Sequence, residues 1–491
     1  MYYLGYDIGS SSIKVALVQK ADGKVVGVVK EPPKEMSILS PQHNWAEQDP
    51  EEWWRYVCSA TQKLITTYHI NKKDILGIGI SYQMHGLVLI DKAGALLRNA
   101  IIWCDSRAVD IGNDALKNLG SKKCATHLLN APGNFTASKL KWVKDNEAAL
   151  YGKMYKAMLP GDYIAFKLSD KIATTLPGLT EGVFWDFKEQ KIAEWLLAYY
   201  GLTRDLLPEV VPTFGAQGKV SAKAAAETGL AKDTPILYRA GDQPNNALSL
   251  NVFHPGEIAM TGGTSGVIYA IGDQLKSREI SRINNFAHVN YIQKDPILGK
   301  LLCINGAGIQ YRWLRENLQV DTYEKMNALA NTVPVASEGV LVLPFGNGAE
   351  RMLNNKNIGS QILHLDLNLH TKAHLCRAAL EGIAFAFMYG MEILKAEGVQ
   401  PKVIRAGNDN LFQSEVFTNT ICTLIGHPIE LYDTTGAVGA ARACALQDGD
   451  FTSLGETLLK NDHLHTFYPL KDLKPYQKAY QNWKEIIDKD L

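Results

Sequence analysis

Two short turns rich in glycine and hydroxyl side chains constrain the fold of this chain more than any other feature. The first, Gly9-Ser10-Ser11, lies within Tyr6 to Val18, and the second, Gly263-Thr264-Ser265, lies within Ala259 to Ile271. Glycine lets backbone N–H groups approach an anion closely, and adjacent hydroxyls add donors. Each turn alone is typical of an ordinary hairpin. Their duplication predicts two lobes that hold one polyphosphate between them.

Strand-like and helical segments alternate in both halves of the chain, which indicates an α/β fold. Val15 to Val18 and Val25 to Val29 flank Ala21-Asp22-Gly23-Lys24 and predict a β-hairpin. Leu76 to Asp91 predicts two strands around the turn Gln83-Met84-His85-Gly86. Helices are predicted at Ser138 to Asn146, Lys191 to Tyr200 and His370 to Gly398.

The length of 491 residues exceeds one comfortable hydrophobic core and predicts two domains. Thr234 to Asn251 passes from a strand (Pro235 to Tyr238) through a turn (Gly241-Asp242-Gln243-Pro244) into a helix. We place the boundary in this segment. The predicted domains are therefore 1–240 and 241–491.

Charge and cysteine content exclude several classes of protein. The 51 basic residues balance 51 acidic ones, so neither nucleic acid nor an anionic membrane is indicated as a partner. The seven cysteines are scattered without C-x-x-C spacing, which predicts a reduced protein. The amino terminus enters a strand without signal-peptide features, and no stretch reaches the roughly 18 apolar residues of a membrane span. We expect a cytoplasmic location.

Eight segments carry a resemblance to a known family, in its order and spacing. They are DIGSSSIKVALV (Asp7 to Val18), WAEQDPEEWW (Trp45 to Trp54), SYQMHG (Ser81 to Gly86), AIIWCDSR (Ala100 to Arg107), FTASKLKWV (Phe135 to Val143), LPGDYIAFKLS (Leu159 to Ser169), AGDQPNNA (Ala240 to Ala247) and TGGTSG (Thr261 to Gly266). The chain resembles the FGGY carbohydrate kinases, and within them most resembles the xylulokinases. The resemblance implies duplicated actin-like ATPase (ribonuclease H-like) domains with mixed sheets flanked by helices, hinged around a nucleotide cleft.

The implied reaction transfers the γ-phosphoryl of ATP, with Mg²⁺, to a hydroxyl of a ketopentose, with D-xylulose as the leading substrate. The alternatives are another ketose or polyol, such as ribulose, L-xylulose or sedoheptulose, and a non-catalytic ATPase-fold sensor. The expected partners are the sugar and ATP, and a homodimer stays open.

Asp242 is the candidate general base. Phosphoryl transfer to a hydroxyl needs a group that accepts the hydroxyl proton, and Asp242 lies where a strand passes into a helix. The alternative is an N-cap, which Asp before Gln-Pro also favours. The resemblance assigns Asp242 the role of base and implies that Asp242 and Gln243 bind the sugar.

Asp7, beside the first turn, is the candidate Mg²⁺ residue, acting through water because magnesium takes few carboxylates. A buried or turn-capping aspartate is the alternative. Lys14 is equally compatible with a phosphate contact and with a solvated strand position.

Sugar recognition is assigned by the resemblance to Met84 and His85. An imidazole beside a soft apolar side chain suits a ketopentose, which presents hydroxyls on one side and C–H surface on another. A core or surface role is the alternative. Trp103, Asp105 and Arg107 recur at the family spacing, and we expect Asp105 and Arg107 to form an ion pair in the cleft wall.

Nucleotide binding is implied for residues of both halves. The residues are Gly9, Ser10, Ser11, Ser12, Gly263, Thr264, Gly306, Gln310 and Gly407. Xylulokinases usually carry a Gly-Gly-Gly-Ala run near the last of these positions, whereas this chain has Ala406-Gly407-Asn408-Asp409. Gly407 still permits close backbone approach to a purine.

Overall fold

Two mixed β-sheets organise the chain. The computed structural model describes residues 1–408, 410–446, 449 and 451–490. The strands of the first half are β1 (Tyr2–Ile8), β2 (Ile13–Gln19), β3 (Val25–Glu31), β4 (Glu47–Gln48), β5 (Ile75–Tyr82), β6 (Val88–Ile90), β7 (Ala100–Ile101), β8 (Lys156–Met158), β9 (Ala173–Thr175), β10 (Trp185–Asp186), β11 (Lys191–Ile192), β12 (Glu209–Val211), β13 (Phe214–Lys219) and β14 (Pro235–Gly241). The first large sheet has the order β13-β14-β5-β1-β2-β3.

The second half repeats this plan. Its strands are β15 (Glu257–Gly262), β16 (Gly266–Gly272), β17 (Asn284–Ala287), β18 (Leu298–Ile304), β19 (Leu341–Phe345), β20 (Gly359–Leu363), β21 (Val403–Gly407), β22 (Ile429–Tyr432) and β23 (His463–Phe467). The second large sheet has the order β17-β18-β16-β15-β21-β22-β23. In the first sheet β1 pairs antiparallel with β2 and parallel with β5, and in the second β15 pairs antiparallel with β16 and parallel with β21. The duplicated, mixed-sheet α/β architecture predicted from the sequence is confirmed.

Helices cover the sheets. Those of the first half are α1 (Pro50–Thr67), α2 (Val109–Leu119), α3 (Ser121–His127), α4 (Thr136–Asn146), α5 (Ala148–Tyr151), α6 (Pro160–Ser169), α7 (Leu176–Glu181), α8 (Glu194–Tyr200), α9 (Ala222–Thr228) and α10 (Asp242–Ser249). Those of the second half are α11 (Gly308–Asn317), α12 (Tyr323–Asn331), α13 (Lys372–Ala396), α14 (Glu415–Ile425), α15 (Gly436–Ala443), α16 (Thr452–Asn461) and α17 (Lys474–Asp490). In the part of the chain that the structure describes, no helix has both the length and the hydrophobicity of a membrane span.

Most predicted elements lie where the sequence placed them. Strands β2 and β3 form the predicted hairpin, β5 and β6 flank the predicted turn, and α4 and α13 match their predicted helices. Helix α13 ends just before Gly398, whose φ of +92° suits glycine. The prediction for Lys191 to Tyr200 is wrong at its start, because Lys191–Ile192 pairs with Trp185–Asp186 as a strand and the helix begins at Glu194.

The turn predicted at Gly241-Asp242-Gln243-Pro244 is also wrong. Strand β14 runs to Gly241, and α10 begins at Asp242 without an intervening turn. Gly241 occupies the N-cap position and no side chain caps this helix. Asp242 is therefore the first helical residue and does not serve as the N-cap.

Helices α10 and α15 pack against each other and against the sheets at very short range. A Cβ added at Gly5 would lie 2.0 Å from the carbonyl oxygen of Ala437, and one added at Gly79 would lie 1.9 Å from that of Ala440. Helix α15 follows the second sheet's strand β22 in sequence yet packs on the first sheet's β1 and β5, while α10 contacts strands of both sheets. The division into 1–240 and 241–491 therefore stays a proposal.

We expect Gly79→Ala to destabilise the protein by about 1–3 kcal/mol, because the added methyl group would overlap the backbone of α15. Gly152→Ala is the matched control, since its added Cβ would find no atom closer than 3.5 Å. Chemical denaturation of both variants measures the difference. Equal free energies of unfolding for the two variants would contradict the close packing.

Candidate active site

The first glycine-hydroxyl turn connects β1 to β2. The amide of Gly9 donates to the carbonyl oxygen of Ser12 at 3.1 Å, which closes the turn. Gln48 Nε2 donates to the carbonyl oxygen of Ser10 at 2.7 Å and so supports the turn from behind. Ser11 is exposed and Ser10 is half-buried, whereas Ser12 is buried. The hydroxyls best placed to meet an anion are those of Ser10 and Ser11.

The second turn connects β15 to β16, at the equivalent place in the second sheet. Its carbonyl groups are held by the first turn of α11: the amide of Gly308 donates to Gly263 at 3.2 Å, and that of Ile309 donates to Thr264 at 3.0 Å. Thr264 is exposed. Both predicted phosphate turns thus occupy the same position in the two repeats, with fixed backbones and accessible hydroxyl groups.

A cavity of about 80 Å³ adjoins the second turn. Its walls include Gly263, Thr264, Tyr311, Arg312 and Ser414. The aromatic rings of Tyr311 and Tyr323 stack at this wall with centroids 5.8 Å apart. Sequence reasoning missed Tyr311 and Arg312, although they directly follow the predicted Gln310.

Gly306, Gln310 and Gly407, the remaining residues predicted to bind the nucleotide, do not line this cavity. A Cβ at Gly306 would lie 1.8 Å from the carbonyl oxygen of Pro344, so packing alone requires a glycine there. Gln310 is buried, and its Oε1 accepts a hydrogen bond from Ser360 Oγ at 2.7 Å beside a second cavity of about 300 Å³. Gly407 ends β21, and Asp409 lies outside the described residues.

Asp7 lies beside the start of α15, and Asp242 is the first residue of α10. Asp7 lies on β1, where its Oδ1 accepts from Ser81 Oγ at 3.2 Å and its Oδ2 lies 3.8 Å from Lys14 Nζ. A Cβ at Gly436, the first residue of α15, would lie 3.0 Å from the carboxyl carbon of Asp7. Lys14 therefore faces the Asp7 carboxylate.

The carboxyl group of Asp242 has a strongly altered acidity. Burial raises its pKa to about 7, and the nearby negative charge of Asp7 adds to the rise. A carboxyl group with a pKa near neutrality can accept a proton and release it again at physiological pH. This arrangement suits general base chemistry.

The Met84–His85 segment lies directly against the start of α10. A Cβ at Gly241 would lie 2.6 Å from Met84 Cγ and 2.8 Å from Glu181 Oε2. The Met84 side chain is buried within the hydrophobic core. The structure thus brings Met84 next to the residue that precedes Asp242.

The His85 ring lies between two aromatic side chains, with centroid distances of 5.0 Å to Phe135 and 5.3 Å to Phe286. Burial lowers its pKa to about 3, and the charge of Lys139 acts in the same direction. The imidazole is therefore neutral near pH 7. A neutral imidazole beside aromatic rings is suited to a hydroxylated, uncharged ligand.

Asp105 and Arg107 form the predicted ion pair, and both side chains are fully buried, with Arg107 Nη2 2.7 Å from Asp105 Oδ2. Arg107 also contacts Glu47 Oε1 at 2.7 Å, and its guanidinium lies 3.8 Å and 4.8 Å from the ring centres of Trp45 and Trp142. These contacts join Arg107 to two carboxylates and two tryptophan rings in one network.

Trp103 stands apart from that buried pair. Its side chain is exposed, and its Nε1 donates to Ser10 Oγ at 3.3 Å. It links the segment after β7 to the first phosphate turn.

Several buried polar atoms near these residues have no protein partner in the described parts of the chain. They are Gln83 Oε1, Gln243 Oε1 and Asn245 Oδ1. Unpaired buried acceptors are costly, so their presence around Asp242 is typical of a site that a polar ligand completes. The predicted residue Gln243 belongs to this group.

Comparison with known proteins gives the same assignment for both halves. Models of the FGGY family of carbohydrate kinases match residues 2–249 (N-terminal domain) and 258–447 (C-terminal domain). A xylulose kinase from Bacillus subtilis (strain 168) is 27% identical over 510 aligned residues, covering 100% of this chain and 98% of that protein. A probable L-xylulose kinase from Haemophilus influenzae is 26% identical over 494 residues, covering 99% and 98%.

A solved structure agrees with the sequence relatives. The crystal structure of xylulose kinase from Rhodospirillum rubrum superposes with a TM-score of 0.87 at 26% identity, and the match covers 100% of this chain and 99% of that one. The family resemblance drawn from the motifs is confirmed by these matches over both halves. The chain therefore belongs to the FGGY family of carbohydrate kinases and is an ATP-dependent sugar kinase.

Proposed function

We propose that the protein transfers the γ-phosphoryl group of ATP to a hydroxyl of a ketopentose, with D-xylulose as the leading substrate and D-xylulose 5-phosphate as the product. The observation that carries the proposal is the Asp242 carboxyl, whose pKa is raised to about 7 at the edge of the Met84–His85 wall. The names of the Bacillus subtilis and Rhodospirillum rubrum relatives support the choice of D-xylulose.

In this proposal Asp242 accepts the proton of the attacking hydroxyl as the phosphoryl group is transferred. His85 receives a sugar hydroxyl, Met84 covers C–H surface, and Gln243 supplies a further polar contact. Gly9, Ser10 and Ser11 bind phosphate oxygens from one lobe, and Gly263 and Thr264 bind them from the other.

The adenosine is proposed to lie beyond the second turn. Gly306, Gln310 and Gly407 keep their predicted roles there, with the cavity beside Tyr311 as the neighbouring space. Ser12 is proposed to act through the backbone of its turn, because its side chain is buried.

The carboxyl groups of Asp7 and Asp242 fit a bound magnesium ion. The charges of Asp7 and Asp242 lie close enough for the first to raise the pKa of the second, and a divalent cation would relieve that repulsion. Asp7 would hold the ion through water, since Mg²⁺ keeps several waters when one or two carboxylates bind it. The ion would neutralise the phosphate charges during transfer.

L-Xylulose is the second candidate, because the Haemophilus influenzae relative is named for it at nearly the same identity. Ribulose, sedoheptulose and polyols complete the alternatives from the sequence, whereas membership in a family of carbohydrate kinases removes the non-catalytic sensor. The cytoplasmic location and the homodimer stay predictions.

A coupled assay of ADP release tests the proposal directly. The purified protein is given Mg²⁺ and ATP with each of D-xylulose, L-xylulose, D-ribulose, sedoheptulose and a polyol panel. We expect the highest kcat/KM with D-xylulose. A higher value for another ketose would replace the substrate, and turnover with none of them would refute the proposed function.

Asp242→Asn should reduce kcat by several orders of magnitude while leaving sugar affinity nearly unchanged. The physical reason is that proton acceptance stabilises the transition state and contributes little to ground-state binding. Initial-rate kinetics and sugar binding by calorimetry measure the two quantities. Asp114→Asn, a change at an exposed position on α2, is the control. A folded Asp242→Asn protein with normal turnover would remove Asp242 from the mechanism.

The pH profile should show the titration of the same carboxyl group. Because the pKa of Asp242 is raised to about 7, the group is protonated below that pH and cannot act as a base. We expect kcat/KM for the sugar to rise with pH, with a midpoint at about 7 or below, since bound Mg²⁺ stabilises the carboxylate. A profile that is flat from about pH 5.5 to about pH 8 would contradict this assignment.

A further inference from the structure

His85 adopts a backbone conformation that its surroundings must enforce. Its φ angle is +58°, in the left-handed region that residues other than glycine seldom occupy. Such a conformation costs free energy and persists where neighbouring contacts fix it. Two buried residues, Glu181 and Lys139, make those contacts.

Glu181, the last residue of α7, contacts both the backbone and the ring of His85. The His85 amide donates to Glu181 Oε1 at 3.1 Å, and His85 Nδ1 lies 3.0 Å from the Glu181 carbonyl oxygen. A carbonyl oxygen can only accept, so the ring proton must be on Nδ1. His85 Nε2 is then an acceptor, and no described residue hydrogen-bonds it.

Lys139 holds the same residue from the other side. Its Nζ donates to the carbonyl oxygen of His85 at 2.9 Å and to that of Ile102 at 2.9 Å. The Lys139 side chain is fully buried, and among the described residues no carboxylate lies within 4.0 Å of its ammonium group. A buried ammonium without a close counterion is costly, and its two carbonyl contacts together with the charge of Asp105 offset part of that cost.

The two carbonyl groups that accept from Lys139 belong to different segments of the chain. His85 lies between β5 and β6, whereas Ile102 directly precedes Trp103 in the segment that leads to Asp105. One ammonium group therefore fixes both segments against each other.

We propose that Glu181 and Lys139 are positioning residues that hold the His85 imidazole in the one orientation and tautomer that a sugar hydroxyl meets. This inference rests on the proposed contact between His85 and the sugar. Neither residue touches the reacting atoms in this scheme. Their effect is to present His85 Nε2 as a fixed acceptor, so that a hydroxyl at one position of the ketose is selected by its ability to donate.

The acidity of Glu181 allows a sharp test of its role. Burial holds the pKa of this carboxyl well above its usual value. Glutamine has nearly the same shape, carries no charge and keeps an oxygen that accepts from the His85 amide. Leucine keeps the volume but removes the acceptor.

Glu181→Leu should raise the KM for the sugar about 10- to 100-fold, the loss expected when a hydrogen bond that orients a buried group is removed. Glu181→Gln should stay within about threefold of the wild type, because the acceptor is retained. The KM for ATP should change little in either variant.

Lys139→Met should raise the sugar KM in the same way, and Lys141→Met is its matched control. Lys141 lies on the same helix, α4, but pairs with the exposed Asp145, and among the described residues it has no hydrogen bond or ion pair with His85 or Ile102. The sugar KM of Lys141→Met should equal that of the wild type.

His85→Ala separates this inference from the proposed function. If His85→Ala leaves the sugar KM unchanged, the proposed sugar contact fails and the inference fails with it. If His85→Ala raises the sugar KM while Glu181→Leu and Lys139→Met do not, only the inference fails. If Glu181→Leu and Lys139→Met lower the Tm but leave the KM values for the sugar and for ATP unchanged, the inference also fails. It fails likewise if these variants raise the two KM values equally.

A measurement on the wild-type protein covers the case in which the leucine and methionine variants do not fold. Nitrogen-15 NMR of histidine-labelled protein identifies the His85 signals by their absence in His85→Ala. We expect chemical shifts of a neutral ring protonated on Nδ1. A ring protonated on Nε2, or a Glu181→Gln variant with a sugar KM raised more than about tenfold, would refute the arrangement.

Discussion

The candidate active site depends on the contact between helix α15 and the first sheet. Gly5 and Gly79 leave no side chain between the strands and the helix, so the backbone of α15 lies directly on β1 and β5. This contact sets the start of α15 beside Asp7, while α10 follows β14 and sets Asp242 close to the same point. Two helix N-termini, each with partial positive charge, therefore begin beside the Asp7 and Asp242 carboxyl groups.

Two carboxyl groups in one cleft acquire different properties from their surroundings. Asp7 accepts a hydrogen bond from Ser81 and lies near the ammonium group of Lys14. Asp242 forms no ion pair among the described residues, and its pKa is raised to about 7 by burial and by the charge of Asp7. The pair divides the work of the proposed reaction, with one group suited to a metal and the other to a proton.

Local sequence patterns predicted the parts of the fold that depend on local physics. The glycine turns, the β2–β3 hairpin and helix α13 follow from glycine conformation and hydrophobic periodicity, and the structure contains them. The N-cap alternative for Asp242 failed because the strand extends to Gly241, and strand length is set by pairing with β5. The pairing of β14 with β5 joins residues far apart in the sequence, so local sequence patterns do not predict it.

The supporting residues of the site could not be found in this way. Glu181 and His85 are 96 residues apart, and Lys139 and His85 are 54 apart, so only the folded backbone brings them together. Lys139 lies within a motif that indicated the family, but nothing in its neighbours predicts a buried ammonium. The sugar and adenosine roles came from the resemblance to the FGGY kinases, whereas the phosphate turns and the Asp7 magnesium role were argued from the residues, which left alternatives to each.

The position of α15 also has a consequence for synthesis of the protein on the ribosome. The bond from Arg442 Nε to the carbonyl oxygen of Gly23 joins residues 419 positions apart, and the same helix completes the first sheet. Because the ribosome adds about 5–20 residues per second, roughly 20 to 80 seconds separate the synthesis of the first strands from that of α15. Until then the groove over Gly5 and Gly79 exposes apolar strand surface. The nascent chain therefore carries this part of its first sheet uncovered until α15 has been synthesised.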